Sequence, residues 1–229
     1  MSKVRWGVIG TGSIANAFAH SIKHCNQSKL ISVFGRNKET LQIFSQKFDV
    51  TGMNDIEELV SSNEIDAIYI ATPHSSHFEY ALQAIKNNKH VLCEKPIAIN
   101  HIESMVLFGL AKDCGVFLME AYMYRTHPQT FNILKNIDSL CDSNKKIEIN
   151  SSFGFHAEIP IDHRLRNPIL GGGAIMDVGC YPLSMSKLLA GRILKKPYAD
   201  PISIEASGNL DETGVDLSLI HISEPTRPY

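Results

Sequence analysis

Short apolar runs alternate with amphipathic stretches through the first half of the chain. Val4–Gly10 (VRWGVIG), Leu30–Gly35 (LISVFG), Ala67–Ala71 (AIYIA), His90–Cys93 (HVLC) and Val116–Met119 (VFLM) are brief, almost wholly apolar and bounded by polar or glycine-containing segments. Such runs suit strands buried on both faces of a parallel sheet. Between them, apolar positions recur at helical spacing. Ile14, Ala17, Phe18, Ser21 and Ile22 mark one helix, Thr40–Phe48 and Asp55–Ser61 two short ones, and Phe78, Leu82 and Ile85 a fourth. A fifth runs over about His101–Cys114, with Met105, Phe108, Leu110 and Ala111 turned inward. Strand–helix alternation of this kind predicts a doubly wound parallel sheet.

After Met119 the pattern changes. A helix is predicted over Gln129–Leu140, a polar turn at Asp142–Lys146, and an antiparallel strand over Ile147–His156. Ile159–Leu170 is irregular. A short helical turn ends near Cys180, and Pro182 falls in the first turn of a longer helix ending at Gly191, where a missing N–H costs nothing. Pro201–Gly208 (PISIEASG) is a strand. The fold expected is thus α/β: a nucleotide-binding domain over residues 1–120, then an α+β domain over 121–216 with an open, mostly antiparallel sheet.

Composition narrows the class. The 229 residues are 44% hydrophobic and 20% charged, with a formal net charge of -2, so a packed core is available and no nucleic-acid partner is signalled. No apolar run is long enough for a bilayer, and Met1-Ser2-Lys3 leads straight into a strand without a signal peptide; the expectation is a cytoplasmic protein with no membrane partner. Cys25, Cys93, Cys114, Cys141 and Cys180 are widely spaced and form no C-x-x-C pair, so neither a disulfide framework nor a zinc site is expected.

Four segments of the first half carry candidate chemistry. Gly10-Thr11-Gly12-Ser13-Ile14-Ala15 matches G-x-G-x-x-A between a strand and a helix. The first glycine permits the turn, the second lets a pyrophosphate approach the backbone, and Ala15 keeps the helix close to the strand. Arg36 follows the second strand, 36 − 12 = 24 residues past Gly12, where an NAD site usually places an acidic residue. An arginine there pairs with a 2′-phosphate, favouring NADP with NAD possible; a solvated surface arginine is the other reading. Thr72 and Pro73 end the third apolar strand beside the nicotinamide half of such a cofactor, and His74 and His77 follow as ligand contacts or as ordinary loop and helix-end histidines. Glu94-Lys95-Pro96 sits at the carboxyl end of the next strand, where open α/β sheets bind ligands. A lysine there can move a proton if burial or a nearby positive charge lowers its pKa; alone, the tripeptide also suits a solvated turn.

Further on, Glu120-Ala121-Tyr122-Met123-Tyr124-Arg125-Thr126-His127-Pro128 combines aromatic, cationic and imidazole groups, as a substrate wall would, though a linker between domains accounts for it too. Arg164 and Arg166 lie in the irregular segment. Gly171-Gly172-Gly173, otherwise a flexible loop, opens a stretch in which Asp177 and Tyr181, 181 − 177 = 4 apart, would share one face if the stretch were one helix; alone, such a pair is usually structural.

Taken in order, the glycine turn, Glu94-Lys95-Pro96 and Gly172-Gly173-Ala174-Ile175-Met176-Asp177-Val178-Gly179-Cys180-Tyr181 resemble the glucose–fructose oxidoreductase and inositol dehydrogenase family, Gfo/Idh/MocA, over about Val4–Asp216. Residues 120–128 resemble its branch of dimeric dihydrodiol dehydrogenases and NADP-dependent xylose dehydrogenases. The resemblance implies hydride transfer between a nicotinamide cofactor and a sugar or diol CH–OH group. It implies Lys95, Asp177 and Tyr181 as the catalytic set. It implies Gly10, Gly12, Ser13, Ile14, Ala15, Arg36, Thr72, Pro73, His77, Glu94, Lys95 and Pro96 as cofactor contacts, and Arg125, His127 and Arg164 as substrate contacts, with no metal. Glycine at position 35 departs from the Ser-Arg form of the NADP site. A homodimer or higher oligomer is implied for a full-length chain. The same fold also serves nucleotide-sensing regulators without turnover, and an inactive fragment of the enzyme is a third reading.

That third reading concerns the end of the chain. Leu217–Arg227 reads like a translated sequencing adapter, so residues 217–229 are expected to be a non-native tail, with further strands of the sheet expected beyond Asp216. A genuine strand at Leu217–Ile222, which has real β-propensity, is the alternative.

Overall fold

The computed structural model describes residues 3–140 and 147–225, which form two compact units, Met1–Ala121 and Tyr122–Tyr229. The polar turn expected at 142–146 lies outside the described residues.

The first unit is a six-stranded sheet in the order β3-β2-β1-β4-β5-β6, parallel throughout. Its strands are β1 (Val4–Ile9), β2 (Ser28–Phe34), β3 (Thr51–Met53), β4 (Ala67–Ile70), β5 (His90–Cys93) and β6 (Leu118–Glu120). The helices between them are α1 (Ser13–Lys23), α2 (Lys38–Phe48), α3 (Ile56–Ser61), α4 (His77–Lys86) and α5 (His101–Asp113). Strand side chains alternate faces, so neighbours serve different cores. Ile9, Ile68 and Ile70 pack with Leu59, Ile85 and Leu107 on one face, while Val8, Val33 and Tyr69 pack with Ala15, Phe44 and Phe48 on the other. Each large side chain buried to this degree contributes roughly 1.5–3 kcal/mol. The order of strands reverses between β1 and β4, and the carboxyl ends of those strands flank the crevice where such sheets take ligands.

Three details differ from the expectation. β3, a three-residue strand around Gly52, was not anticipated, since so short a segment carries no periodicity. β6 begins two residues later than the apolar run, leaving Phe117 63% exposed. In α5 the inward residues are Leu107 and Ala111, with Leu110 partly buried, whereas Met105 (62% exposed) and Phe108 (47%) point to solvent together with Ile102 and Val106. This helix is apolar nearly all round, so its sequence does not single out a face, and packing on α4 and the sheet selects the 107/111 pair.

The second unit contains α6 (Pro128–Leu140), a π-helical turn Ile175–Gly179, α7 (Cys180–Ile193) and a hairpin of β7 (Pro201–Leu210) with β8 (Asp216–Pro225). Pro182 is accommodated in the first turn of α7. Residues 217–225, expected as a tail, form most of β8 and pair antiparallel with β7. The hairpin leaves Ile202, Ile204 and Leu210 exposed. The strand expected over Ile147–His156 does not form: residues 147–160 adopt no helix or strand, and Phe153 and Phe155 are exposed. Alternation alone suits a strand, but a strand exists only where a ladder partner satisfies its backbone. The sheet of this unit pairs only β7 with β8 among the described residues. Two single-turn 3-10 helices, Arg164–Arg166 and Pro168–Leu170, organise the segment read as irregular. Among the described residues no helix is long and apolar enough to cross a membrane.

Candidate active site

In the first unit the candidate site starts at the turn between β1 and α1. Gly10 has φ +114°, and a Cβ there would run into the carbonyl of Ala71, so the fold itself demands glycine. Gly12 is different. Its φ of −73° and ψ of −174° suit any residue, and an added Cβ would meet nothing within 4 Å. The chain's own packing gives no reason for glycine at position 12; a ligand approaching the backbone does.

The end of α1 points the same way. α2, α3 and α5 are capped by the side chains of Asn37, Asp55 and Asn100, each accepting a backbone N–H. α1 begins from Gly12 with no side-chain cap, and its first turn holds no acidic residue. The backbone N–H groups of its first turn and the positive end of its dipole are therefore left for an anion. Ser13 and the half-exposed Ile14 open this helix, and Ala15 is fully buried against the sheet. Asn16, missed in the sequence, braces the turn by donating to the carbonyls of Thr11 and Gly12, and accepts from Lys47 Nζ at 2.8 Å.

Arg36 is exposed just past the carboxyl end of β2. The glycine before it has a spatial cause, because a Cβ at Gly35 would sit 2.9 Å from Thr11 Cγ2. Burial raises the Tyr80 hydroxyl above its ordinary pKa, and the charge of Arg36 partly offsets this.

Across the crevice, Thr72 and Pro73 follow β4 and are tied down by Ser76, whose hydroxyl reaches Thr72 Oγ1 and Pro73 O at 2.8 Å. His77 has no exposed surface: Nδ1 lies 2.7 Å from Pro96 O and Nε2 2.8 Å from Thr72 O. The histidine expected to touch the cofactor thus clasps the two loops expected to line it. Burial pushes its pKa down, with the two carbonyls pulling it part of the way back. A neutral imidazole donates to only one of them.

Glu94 is buried and accepts from Tyr69 OH at 2.5 Å, and its own N–H bonds Ile70 O. Lys95 is half-buried and joined to Pro96 by a cis peptide bond. Beyond it, Ile97 N donates to Glu120 Oε1 at 2.9 Å. Glu120, read as part of a substrate wall, instead pins the far side of the lysine loop from β6. Tyr69 and Glu120 are 25 and 23 residues from their partners, too far for any local signal. Burial, reinforced by the charges of Glu120 and Glu94, pushes the Cys93 thiol well above its ordinary value, which leaves it no nucleophilic role.

In the second unit the π-helical turn and the start of α7 carry Asp177 and Tyr181. Asp216 Oδ2 accepts from Ile175 N at 2.7 Å, capping the turn from β8. Arg164 Nη2 stands 3.9 Å from Asp177 Oδ1, so a candidate substrate contact and a candidate catalytic group are paired. Tyr181 is surrounded by the rings of Tyr122, Tyr124 and Phe153, with centroids 5.4, 6.2 and 5.4 Å away. Ser184, one turn further along α7, accepts from both Tyr124 OH (2.8 Å) and Arg125 Nη2 (2.9 Å). His127 Nδ1 accepts from Gln129 N, which commits one ring nitrogen to the start of α6. Arg166, bidentate to Asp211, fastens the 3-10 segment to the hairpin turn. No group of three or more metal-ligating side chains occurs among the described residues.

Residues 4–122, more than half the chain, match the family described as an oxidoreductase family with an NAD-binding Rossmann fold, Gfo/Idh/MocA. The chain belongs to this family. Relatives of the Gfo/Idh/MocA protein include a trans-1,2-dihydrobenzene-1,2-diol dehydrogenase of Xenopus tropicalis, 32% identical and matched over 94% of this chain and 63% of that one. A D-xylose 1-dehydrogenase (NADP(+)) of Hypocrea jecorina is 30% identical over 93% of this chain and 60% of its own. The 3-ketoreductase KijD10 of Actinomadura kijaniata, solved with NADP, superposes with a TM-score of 0.77 at 25% identity, over 95% of this chain and 65% of that one. The chain spans about three fifths of the length of the curated relatives it matches.

Proposed function

We propose that the protein is an NADP-preferring dehydrogenase acting on a CH–OH group of a sugar or diol. The observation that carries this is the uncapped start of α1 at Gly12, a position whose glycine nothing in the chain itself requires. The residues fit the cofactor of the family: the 10–15 turn for the pyrophosphate, Arg36 for a 2′-phosphate, and Thr72, Pro73, Glu94, Lys95 and Pro96 for the nicotinamide half. The NADP(+)-dependent xylose dehydrogenase and the 3-ketoreductase solved with NADP, named above, support the same choice.

When bound, NADP supplies the hydride acceptor. The chain supplies orientation and proton handling. The carbinol carbon gives up a hydride and its oxygen a proton, leaving a carbonyl and the reduced cofactor. Lys95 and Tyr181 are the candidate acceptors of that proton. Asp177 is the third member of the catalytic set, and its pairing with Arg164 fits a polar substrate wall to which Arg125 and His127 also belong. The aromatic ring set around Tyr181 supplies flat apolar surface for a ring-shaped substrate. Assembly as a homodimer or higher oligomer is part of the same proposal.

A panel of aldoses and diols assayed for reduction of NADP tests the function. Turnover with one class establishes it. Tight nucleotide binding without turnover on any member points instead to a nucleotide-sensing protein of the same fold.

A further inference from the structure

Arg36 follows β2, and the residues on either side of it are both held from the glycine turn. Gly35, before it, is buried beside Thr11, since a Cβ at Gly35 would stand 2.9 Å from Thr11 Cγ2. Asn37, after it, is gripped by Thr40: Asn37 Oδ1 accepts from Thr40 N at 3.0 Å, and Asn37 O accepts from Thr40 Oγ1 at 3.2 Å. Thr40 Oγ1 is in turn 2.8 Å from Thr11 Oγ1. With the Thr40 hydrogen spent on Asn37 O, Thr11 is the donor between the two hydroxyls. The methyl group of Thr11 thus bears on one neighbour of Arg36, and its hydroxyl reaches the other through Thr40.

Thr11, the residue between Gly10 and Gly12, is itself fixed. Gly10 N donates to Phe34 O at 2.9 Å, which joins the turn to the end of β2, and Asn16 Nδ2 donates to Thr11 O at 3.2 Å. Threonine is branched at Cβ and stiff at χ1, so a fixed backbone fixes its methyl and hydroxyl together. Arg36 is exposed, and a long side chain loses rotamer freedom when it grips a ligand. Holding the main chain on both sides of it in advance removes the backbone's share of that cost.

We propose that Thr11 and Thr40 are positioning residues that hold Arg36 for the 2′-phosphate and thereby strengthen the preference for NADP over NAD. This rests on the reading of Arg36 as the 2′-phosphate ligand. The middle residue of the glycine turn then does more than connect two glycines: it ties the part of the site that takes the pyrophosphate to the part that tells the two nucleotides apart.

The test uses this protein with NADPH and NADH as probes and reads the ratio of their dissociation constants. Thr11→Val and Thr40→Val keep the branched shape and remove only the hydroxyl. Each is expected to shift the ratio toward NADH by about threefold, the worth of one neutral hydrogen bond, and the double substitution by little more than either. Thr40→Val carries the test alone if Thr11→Val does not fold. In an Arg36→Ala background, Thr11→Val and Thr40→Val are expected to move the ratio no further, because the residue they position is gone. A purely structural role would weaken both nucleotides alike, so an unchanged ratio in variants that bind both overturns the inference. A shift that persists in the Arg36→Ala background overturns it too, since the hydroxyls would then meet the phosphate directly. Equal affinity of the unaltered protein for NADPH and NADH, or binding of neither, overturns the reading of Arg36 first, and this inference with it.

Discussion

Gly10 and Gly12 are two residues apart in one turn, yet the structure assigns their glycines to different causes, and alanine at each separates them. At Gly10 the φ of +114° lies outside the regions open to L side chains, and the new Cβ would press on Ala71 O, a backbone atom held in the sheet. A strained backbone costs about 1–3 kcal/mol and overpacking a further 1–3, so Gly10→Ala should lose about 2–6 kcal/mol of stability. Against a typical total of about 5–15 kcal/mol, that is a large fraction. At Gly12 the backbone is already ordinary and the Cβ meets nothing within 4 Å. Stability of Gly12→Ala should be unchanged, or gain up to about 1 kcal/mol from a less flexible unfolded chain. Its affinity for NADPH should nevertheless fall by at least about tenfold, about 1.4 kcal/mol, because the methyl group stands where the pyrophosphate approaches. Urea unfolding and fluorescence titration with NADPH read the two quantities. Unaltered NADPH affinity in Gly12→Ala, or equal destabilisation by both substitutions, would refute the reasoning.

Arg36→Ala should weaken NADPH by about tenfold or more and leave NADH almost unchanged, since only the former carries the phosphate that a guanidinium grips; tighter binding of NADH by the unaltered protein would count against the NADP preference. His77 makes stability depend on pH. Its folded-state pKa lies below the unfolded value of about 6.5, so the unfolded chain binds the extra proton first; stability is full above about pH 6.5 and declines as pH falls from there to the folded pKa. Unfolding midpoints of the protein and of His77→Gln across this window should show the acid-side slope reduced in the variant, and identical slopes would show that His77 does not supply it. Lys95→Met and Tyr181→Phe should each remove most of kcat with little loss of cofactor binding, and the double substitution should cost little more than either; fully additive losses would separate the two residues.

What could be read from the sequence was what local pattern carries. The runs AIYIA and HVLC are strands because a parallel sheet covered on both faces needs wholly apolar segments, and β4 and β5 are there. The glycine turn was legible for the same reason, as its chemistry is confined to six consecutive residues. Tertiary choices were not. α5 is apolar on nearly every side, so only packing could select Leu107 and Ala111 over Met105 and Phe108. The alternation in Ile147–His156 suits a strand, but no ladder partner is present to make it one. Around Lys95, the residue type was visible while its support was not: Tyr69 reaches Glu94, His77 reaches Pro96 and Glu120 reaches Ile97 across 25, 19 and 23 positions. His77 illustrates the difference, since the sequence left it either a ligand contact or an ordinary helix-end histidine, and the fold turns it inward as a clasp.

Hydride transfer from a CH–OH carbon is the central claim, and isotope transfer tests it most directly. The protein is incubated with NADP+ and a sugar or diol from the active class, deuterated at the carbinol carbon, and the recovered NADPH is analysed by mass spectrometry. Direct transfer predicts NADPH one deuterium heavier, with none of the label in water. NADPH formed without the label, or deuterium found only in solvent, would contradict it.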